Sequence, residues 1–153
     1  MYFFFFNALL LPVTPSELTV NITNKNQTVS LINDGEINIL KQNGLTEISF
    51  DFLLPAQNYP FANYYIPQSV FLYQLEQYKK NGTPFQFIVT RMDKQTFIHA
   101  TNIKCAIEDY EIRESADNGL DIVVSINLKQ YRDYSTKKLV SVDGKTTIEK
   151  VRG

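Results

Sequence analysis

Residues 45–61 read LTEISFDFLLPAQNYPF, and the change of character at Pro55 organises the rest of the chain. Thr46 to Leu54 is a strand that follows the turn residues Asn43-Gly44. Pro55 to Pro67 is then irregular, rich in proline and aromatic, with Tyr59, Phe61, Tyr64 and Tyr65 in close succession. The block carries no catalytic motif. Its aromatic residues have two roles open to them: a cover over the core, or anchors against a partner, where tyrosine is favoured.

Toward the N-terminus the pattern stays that of short strands. Glu17 to Thr23 and Gln27 to Ile32 alternate with period two about the turn Asn24-Lys25-Asn26. Asn33-Asp34-Gly35 is a second turn signal and leads into Glu36 to Lys41. Strands joined by such short polar turns are expected to pair antiparallel. The opening MYFFFFNALLLPV lacks the basic flank and cleavage site of a signal peptide, and its apolar run is far below the roughly 20 residues that span a bilayer. It reads as a buried strand pair bending at Asn7-Ala8.

Toward the C-terminus the period changes. Phe71, Leu72, Leu75 and Tyr78 make one apolar stripe at helical spacing, which predicts a helix over 69–80 with Lys79 and Lys80 in its last turn and Asn81-Gly82 as its stop. Pro84 to Arg91 is a strand, followed by a long hairpin from Gln95 to Glu114 and from Leu120 to Asp133, turning at Asp117-Asn118-Gly119. In its first arm Phe97, His99, Thr101, Ile103, Cys105 and Ile107 share a parity that Tyr110 and Ile112 abandon. That slip predicts a β-bulge near Glu108-Asp109, and the apolar parity predicts a buried or half-buried His99. Val140 to Val151 reads as a small hairpin about Asp143-Gly144 or as a mobile tail. The expected fold is mainly β, a β-sandwich or half-open barrel with one packed helix. Residues 1–135 form one domain and 136–153 a C-terminal tail or short hairpin.

Composition sets the outer limits. With 153 residues, 44% hydrophobic and 20% charged, the chain suits one globular domain. The net charge of −1 supplies no field to gather nucleic acid or an anionic membrane. The balance conceals an asymmetry. Ala106 to Asp121 holds six acidic residues against one arginine, whereas Lys129 to Gly153 holds seven basic against three acidic. Those segments are either ordinary solvent-facing charges or complementary surfaces of a head-to-tail ring.

Catalytic chemistry has little to work with. His99 and Cys105 are the only residues of their kinds. Six positions along an extended strand part them by roughly 20 Å, too far for a nucleophile and its base. Two residues do not make a structural zinc site, the acidic cluster lacks a calcium-loop pattern, and no Gly-rich phosphate loop is present. The chain is therefore expected to be no enzyme and to need no cofactor or metal.

The ordered fragments of the chain carry a resemblance. Leu11-Pro12-Val13-Thr14-Pro15-Ser16-Glu17-Leu18, Gly35-Glu36-Ile37, Gly44-Leu45, Ile48-Ser49-Phe50, Phe52-Leu53-Leu54-Pro55-Ala56, Tyr59-Pro60-Phe61, Gly82-Thr83-Pro84, Phe87-Ile88-Val89-Thr90 and Leu128-Lys129-Gln130-Tyr131-Arg132 occur in that order. Taken together they resemble the short LysM-type baseplate proteins of contractile phage tails, prophage-derived tails and R-type bacteriocins such as the diffocins. The resemblance runs from Leu11 to Arg132. It implies a non-enzymatic structural part that joins the central tube or spike hub to surrounding wedge proteins, in a ring of about six copies. It also implies assembly in the bacterial cytoplasm and residence in the released particle, with no nucleic acid or membrane partner. Many relatives continue into a LysM module opening "V..GDTL", a motif that residues 136–153 do not contain, so cell-wall binding is not carried over. Exposure and charge, rather than any motif, nominate the interface residues: Tyr59, Phe61, Tyr64 and Tyr65 of the aromatic segment, Glu111, Arg113 and Glu114 of the hairpin, and Arg132, Lys137 and Lys138 of the basic end. A free-standing β-sandwich that binds a surface carbohydrate or protein is the alternative.

Overall fold

In the strand Glu47–Leu54 (β6), Ile48, Phe50, Phe52 and Leu54 are all buried, and every second residue between them faces outward. Its neighbour Ile122–Gln130 (β9) does the same with Ile122, Val124, Ile126 and Leu128. The antiparallel register sets Phe50 opposite Ile126 and Phe52 opposite Val124, so both apolar sets fall on one face of the sheet. A computed structural model describes residues 1–142 and 145–152, with side chains as far as Tyr134. The remaining elements are β1 (Tyr2–Phe6), β2 (Leu9–Leu10), β3 (Thr19–Asn21), β4 (Gln27–Leu31), β5 (Gly35–Ile39), α1 (Gln68–Asn81), β7 (Phe85–Asp93), β8 (Thr96–Glu114), β10 (Ser135–Val142) and β11 (Lys145–Arg152).

Seven strands form one antiparallel sheet in the order β2-β1-β7-β8-β9-β6-β3. Three strands separate β1 from β6 in that order, yet the Phe4 and Phe50 rings lie 5.8 Å apart and the Phe6 and Phe50 rings 6.2 Å apart. Such contact across the sheet is possible only if the sheet rolls up. Phe50 also stacks on Phe87 at 5.4 Å and 19°, which completes an aromatic filling between the two halves. Of the two expected architectures, the one realised is therefore the half-open barrel, a single curled sheet, rather than a pair of facing sheets.

The helix closes one mouth of the roll. Phe71 and Leu75 are buried, and Phe71 meets Phe52 edge-on at 5.6 Å. Tyr78 packs on Phe85 at 5.0 Å. The residues Gln68–Asn81 extend the expected helix by one position at each end, and Gly82 ends it in the left-handed region at φ +58°. With no capping side chain at Pro67, the Gln68 amide ties the helix start down by donating to the Leu54 and Leu120 carbonyls.

Several expectations about pairing are corrected. Residues 17–23 do not pair with 27–32: β3 adds to the edge of β6, whereas β4 pairs with β5 in a separate two-stranded ribbon. Nor does β5 pair with β6. Alternation shows that a segment is amphipathic but not which strand covers it. The predicted bulge is found between Ile107 and Asp109. A second register shift, at Arg91/Met92, was not anticipated. His99 is exposed rather than buried, because this end of β8 runs on with β7 beyond the filled part of the roll. The N-terminal strand pair bends at Asn7-Ala8 as expected, with Asn7 at φ +53°. β10 and β11 pair antiparallel from Ser135↔Arg152 to Val142↔Lys145, while the proposed turn residues Asp143-Gly144 lie outside the described residues.

Phe50 touches four other phenylalanine rings from both halves of the roll. Phe50→Ala is expected to cost about 3–5 kcal/mol in urea unfolding, whereas Leu31→Ala on the exposed ribbon should cost under about 1 kcal/mol.

Candidate assembly interface

Leaving β6, the chain enters the aromatic segment and is pinned there by Asp121. One oxygen of that carboxylate accepts from the Ala56 amide at 2.7 Å and from the Tyr59 hydroxyl at 3.3 Å. Tyr59 then supports Phe61, whose ring stacks on it at 4.9 Å and 12° while remaining 62% exposed. Tyr64 turns the other way: it is half-buried and its hydroxyl donates to the Leu10 carbonyl at 2.6 Å. Burial pushes its phenol pKa up. Tyr65 is exposed, its hydroxyl reaching the Ala56 carbonyl at 3.4 Å. The four nominated aromatics thus divide: Tyr59 and Tyr64 hold the loop, and Phe61 and Tyr65 are presented to solvent.

The hairpin residues stand on the outer face of the sheet or at its rim. Arg113 pairs with Asp51 at 2.5 Å, both side chains being about half exposed, so the pair contributes little to stability. Glu111 lies opposite Ser125 and Glu114 opposite Ile122, both exposed and without an ion pair among the described residues. Arg132 is exposed and donates to the carbonyls of Asn43 and Gly44. Lys137 and Lys138 occupy β10, opposite Lys150 and Glu149, and their side chains lie outside the described residues.

The tertiary structure sorts these residues into two poles. Asp121 ties the aromatic segment to the β8–β9 turn, so Phe61 and Tyr65 share an end of the roll with Glu114. Leu120, 83% exposed on that turn, joins them. Sequence reasoning missed Leu120 and Asp121, because turn residues follow no period. Arg132 and the start of β10 sit at the other end of β9, eight residue steps and roughly 26 Å away. Among the described side chains, Phe61, Tyr65 and Glu114 therefore do not form one patch with Arg132.

Cys105 and His99 stand apart. Cys105 is fully buried with its thiol donating to the Ile103 carbonyl at 3.5 Å, and burial pushes its pKa up to about 12. His99 is exposed and apart from it. Among the described residues no group of three metal-ligating side chains converges, and no helix is long and apolar enough to cross a membrane. A cleft of about 510 Å³ between the β1–β2 bend and α1 is lined by Asn7, Gln74, Gln77, Tyr78 and Asn81 and contains none of the nominated residues.

No protein-family model matches the chain. It is similar to the uncharacterized protein YqbP of Bacillus subtilis (strain 168), with 29% identity over 136 residues, 87% of this chain. The chain spans 58% of the length of that curated relative. Among solved structures it is similar to the SPP1 tail tube, with TM-score 0.55 and 12% identity over 84% of this chain and 71% of the other. The cap that terminates the tube of the anti-feeding prophage gives TM-score 0.56 and 9% identity over 98% and 88%. The six-fold symmetrised baseplate of the same prophage gives 0.51 and 8% over 86% and 87%. At these identities the likeness establishes a fold: the curled sheet with one helix is the fold found in tail tube, cap and baseplate proteins.

Two measurements check the site's anatomy. Tyr64→Phe should lose about 1 kcal/mol of stability by deleting the bond to Leu10, whereas Phe61→Ala should unfold at an unchanged denaturant midpoint. At pH 8 the Cys105 thiol should not react with a disulfide reagent in the native protein and should react fully in denaturant, since the raised pKa and burial both suppress the thiolate.

Proposed function

We propose that the chain is a structural subunit of a contractile tail or R-type bacteriocin baseplate, linking the central tube or spike hub to the surrounding baseplate proteins. The observation that carries this reading is the rolled seven-stranded sheet with its single helix, an architecture that recurs in tail tube, tube cap and baseplate structures. The LysM-type resemblance of Leu11 to Arg132 supports the narrower assignment. Its role is mechanical. The rigid roll, residues 1–135, holds position, and its two poles meet neighbours head to tail in a ring of about six, as heterologous contacts close around an axis. Phe61, Tyr65, Glu111 and Glu114 serve one pole, and Arg132 with Lys137 and Lys138 the other. Assembly takes place in the bacterial cytoplasm, and the chain leaves in the released particle.

The cleft beside α1 favours the alternative, a free-standing binding module. Its uncharged lining sets the carboxamides of Asn7, Gln74 and Gln77 beside the apolar Phe6, Ala8 and Leu9, which suits a neutral ligand with both a polar and an apolar face.

Cross-linking mass spectrometry on tail particles from a producer expressing the tagged chain separates the two. Links to tube, hub or wedge proteins are the expected result. A chain absent from particles and monomeric in the lysate would move the binding module to first place. In the same particles, Phe61→Ala combined with Tyr65→Ala should lower incorporation at least about tenfold without altering the unfolding midpoint.

A further inference from the structure

β8 runs for 19 residues, whereas its partners β7 and β9 have nine each. β7 takes one edge of it from Thr96 to Cys105, and β9 takes the other from Cys105 to Glu114. On the β9 side the stretch Thr96–Lys104 therefore has no strand beside it among the described residues. Phe97, Ile98, His99, Ala100 and Asn102 of that stretch are exposed, and no carboxylate or lysine lies between Thr96 and Ile103. Such a row of free N–H and C=O groups is a template for a further strand, and native chains shield it.

The chain has already begun to cover this edge. Ile107↔Leu128, Ala106↔Lys129 and Cys105↔Gln130 define one antiparallel register, whose next pair is Lys104 with Tyr131. β9 ends at Gln130, yet the Tyr131 N–H donates to the Lys104 carbonyl at 2.7 Å, and Lys104 Nζ stands 5.3 Å from the centre of the Tyr131 ring. Lys104 Nζ also pairs with Asp133 at 2.9 Å. Asp133 is the diagonal neighbour on the same face that this register gives Lys104. Backbone and side chains thus both follow the register past the end of the strand. Tyr131–Tyr134 is all that joins β9 to β10, so Ser135 lies within roughly 14 Å of Tyr131. β10 is paired along one edge only, with β11, so its other edge can add to β8 without breaking the ribbon. A tether this short gives an effective concentration of roughly millimolar, far above that of a separate chain in dilute solution. The register shift at Arg91/Met92 makes Ile98 the extra residue of β8, and such a bulge ends regular pairing there.

We propose that Arg132–Thr136 adds to the free edge of β8 in its own chain, antiparallel to Ile103–His99, and so closes this edge to a strand from another copy. Ser135 then faces Ala100 and Thr136 faces His99, the last pair before the bulge. The closure is independent of the tail-subunit reading.

The test uses the full-length chain with His99→Cys and Thr136→Cys. Alternation from the Tyr131–Lys104 bond makes this a non-hydrogen-bonded pair, with Cα atoms about 4.5 Å apart and within disulfide reach. Oxidation in dilute solution is read by non-reducing electrophoresis and peptide mapping. An intramolecular disulfide at least about tenfold above the control His99→Cys with Ser135→Cys, one residue out of register, is expected. Buried Cys105 does not compete. No excess over the control overturns the proposal, and so does a bridge formed only between copies, which would give the edge to a second chain. Hydrogen exchange is the second readout. The same alternation turns the Asn102 and Ala100 amides to the free edge and the Asp133 amide toward β8. Asp133→Pro removes that donor outside both β9 and β10, and Asp133→Ala removes only the exposed ion pair. The Asn102 and Ala100 amides should exchange at least about tenfold more slowly in the unsubstituted chain and in Asp133→Ala than in Asp133→Pro. Equal rates in the unsubstituted chain and Asp133→Pro overturn the proposal.

Discussion

The curl of the seven-stranded sheet centres on the Phe50 ring. The ring sits on β6, near one edge of the sheet, and touches Phe4, Phe6 and Phe87 from the other half. Hydrogen bonds alone would leave a seven-stranded antiparallel sheet open and twisted. Aromatic contact between strands far apart in the order is what rolls it, and burial of each such ring contributes roughly 2–3 kcal/mol. The roll then dictates the rest. It leaves a mouth for Phe71 and Leu75 of the helix to fill, turns polar faces outward, and sends the two ends of β9 to opposite poles.

Separation of the poles follows from the length of β9. The aromatic segment with Glu114 and the Arg132 end of β9 lie about 26 Å apart, so the two ends present separate surfaces. The aromatic segment shows how rigidity and presentation are combined. Asp121 and the Leu10 carbonyl fasten Tyr59 and Tyr64, and Phe61 is displayed on the stack beneath it. An anchor that is already ordered loses less conformational entropy when it is buried by a partner.

Much of the fold could be read from residue order. The helix was legible because Phe71, Leu75 and Tyr78 repeat at helical spacing and Gly82 stops them. The bulge at Ile107/Asp109 was legible because a parity change in one strand has few other causes. Less could be read of the candidate site. Tyr59, Phe61, Tyr64 and Tyr65 are chemically alike in sequence, and only their distinct partners separate the holders from the presented. His99 shared the parity of Cys105 yet lies beyond the filled part of the roll, since parity gives the side of a strand and not how far the core extends along it.

The sequence by itself determined the kinds of element, the positions of most turns and the helix, because these follow from spacing and from residue chemistry. Only the tertiary structure decided which strands are neighbours. β3 joins β6 instead of β4, and the ribbon β4–β5 is left with an uncovered apolar face. Alternation is a local property, set by neighbours two residues apart. Pairing is decided by which apolar faces can be buried together, and that depends on the curl imposed by side chains as distant in sequence as Phe4 and Phe50.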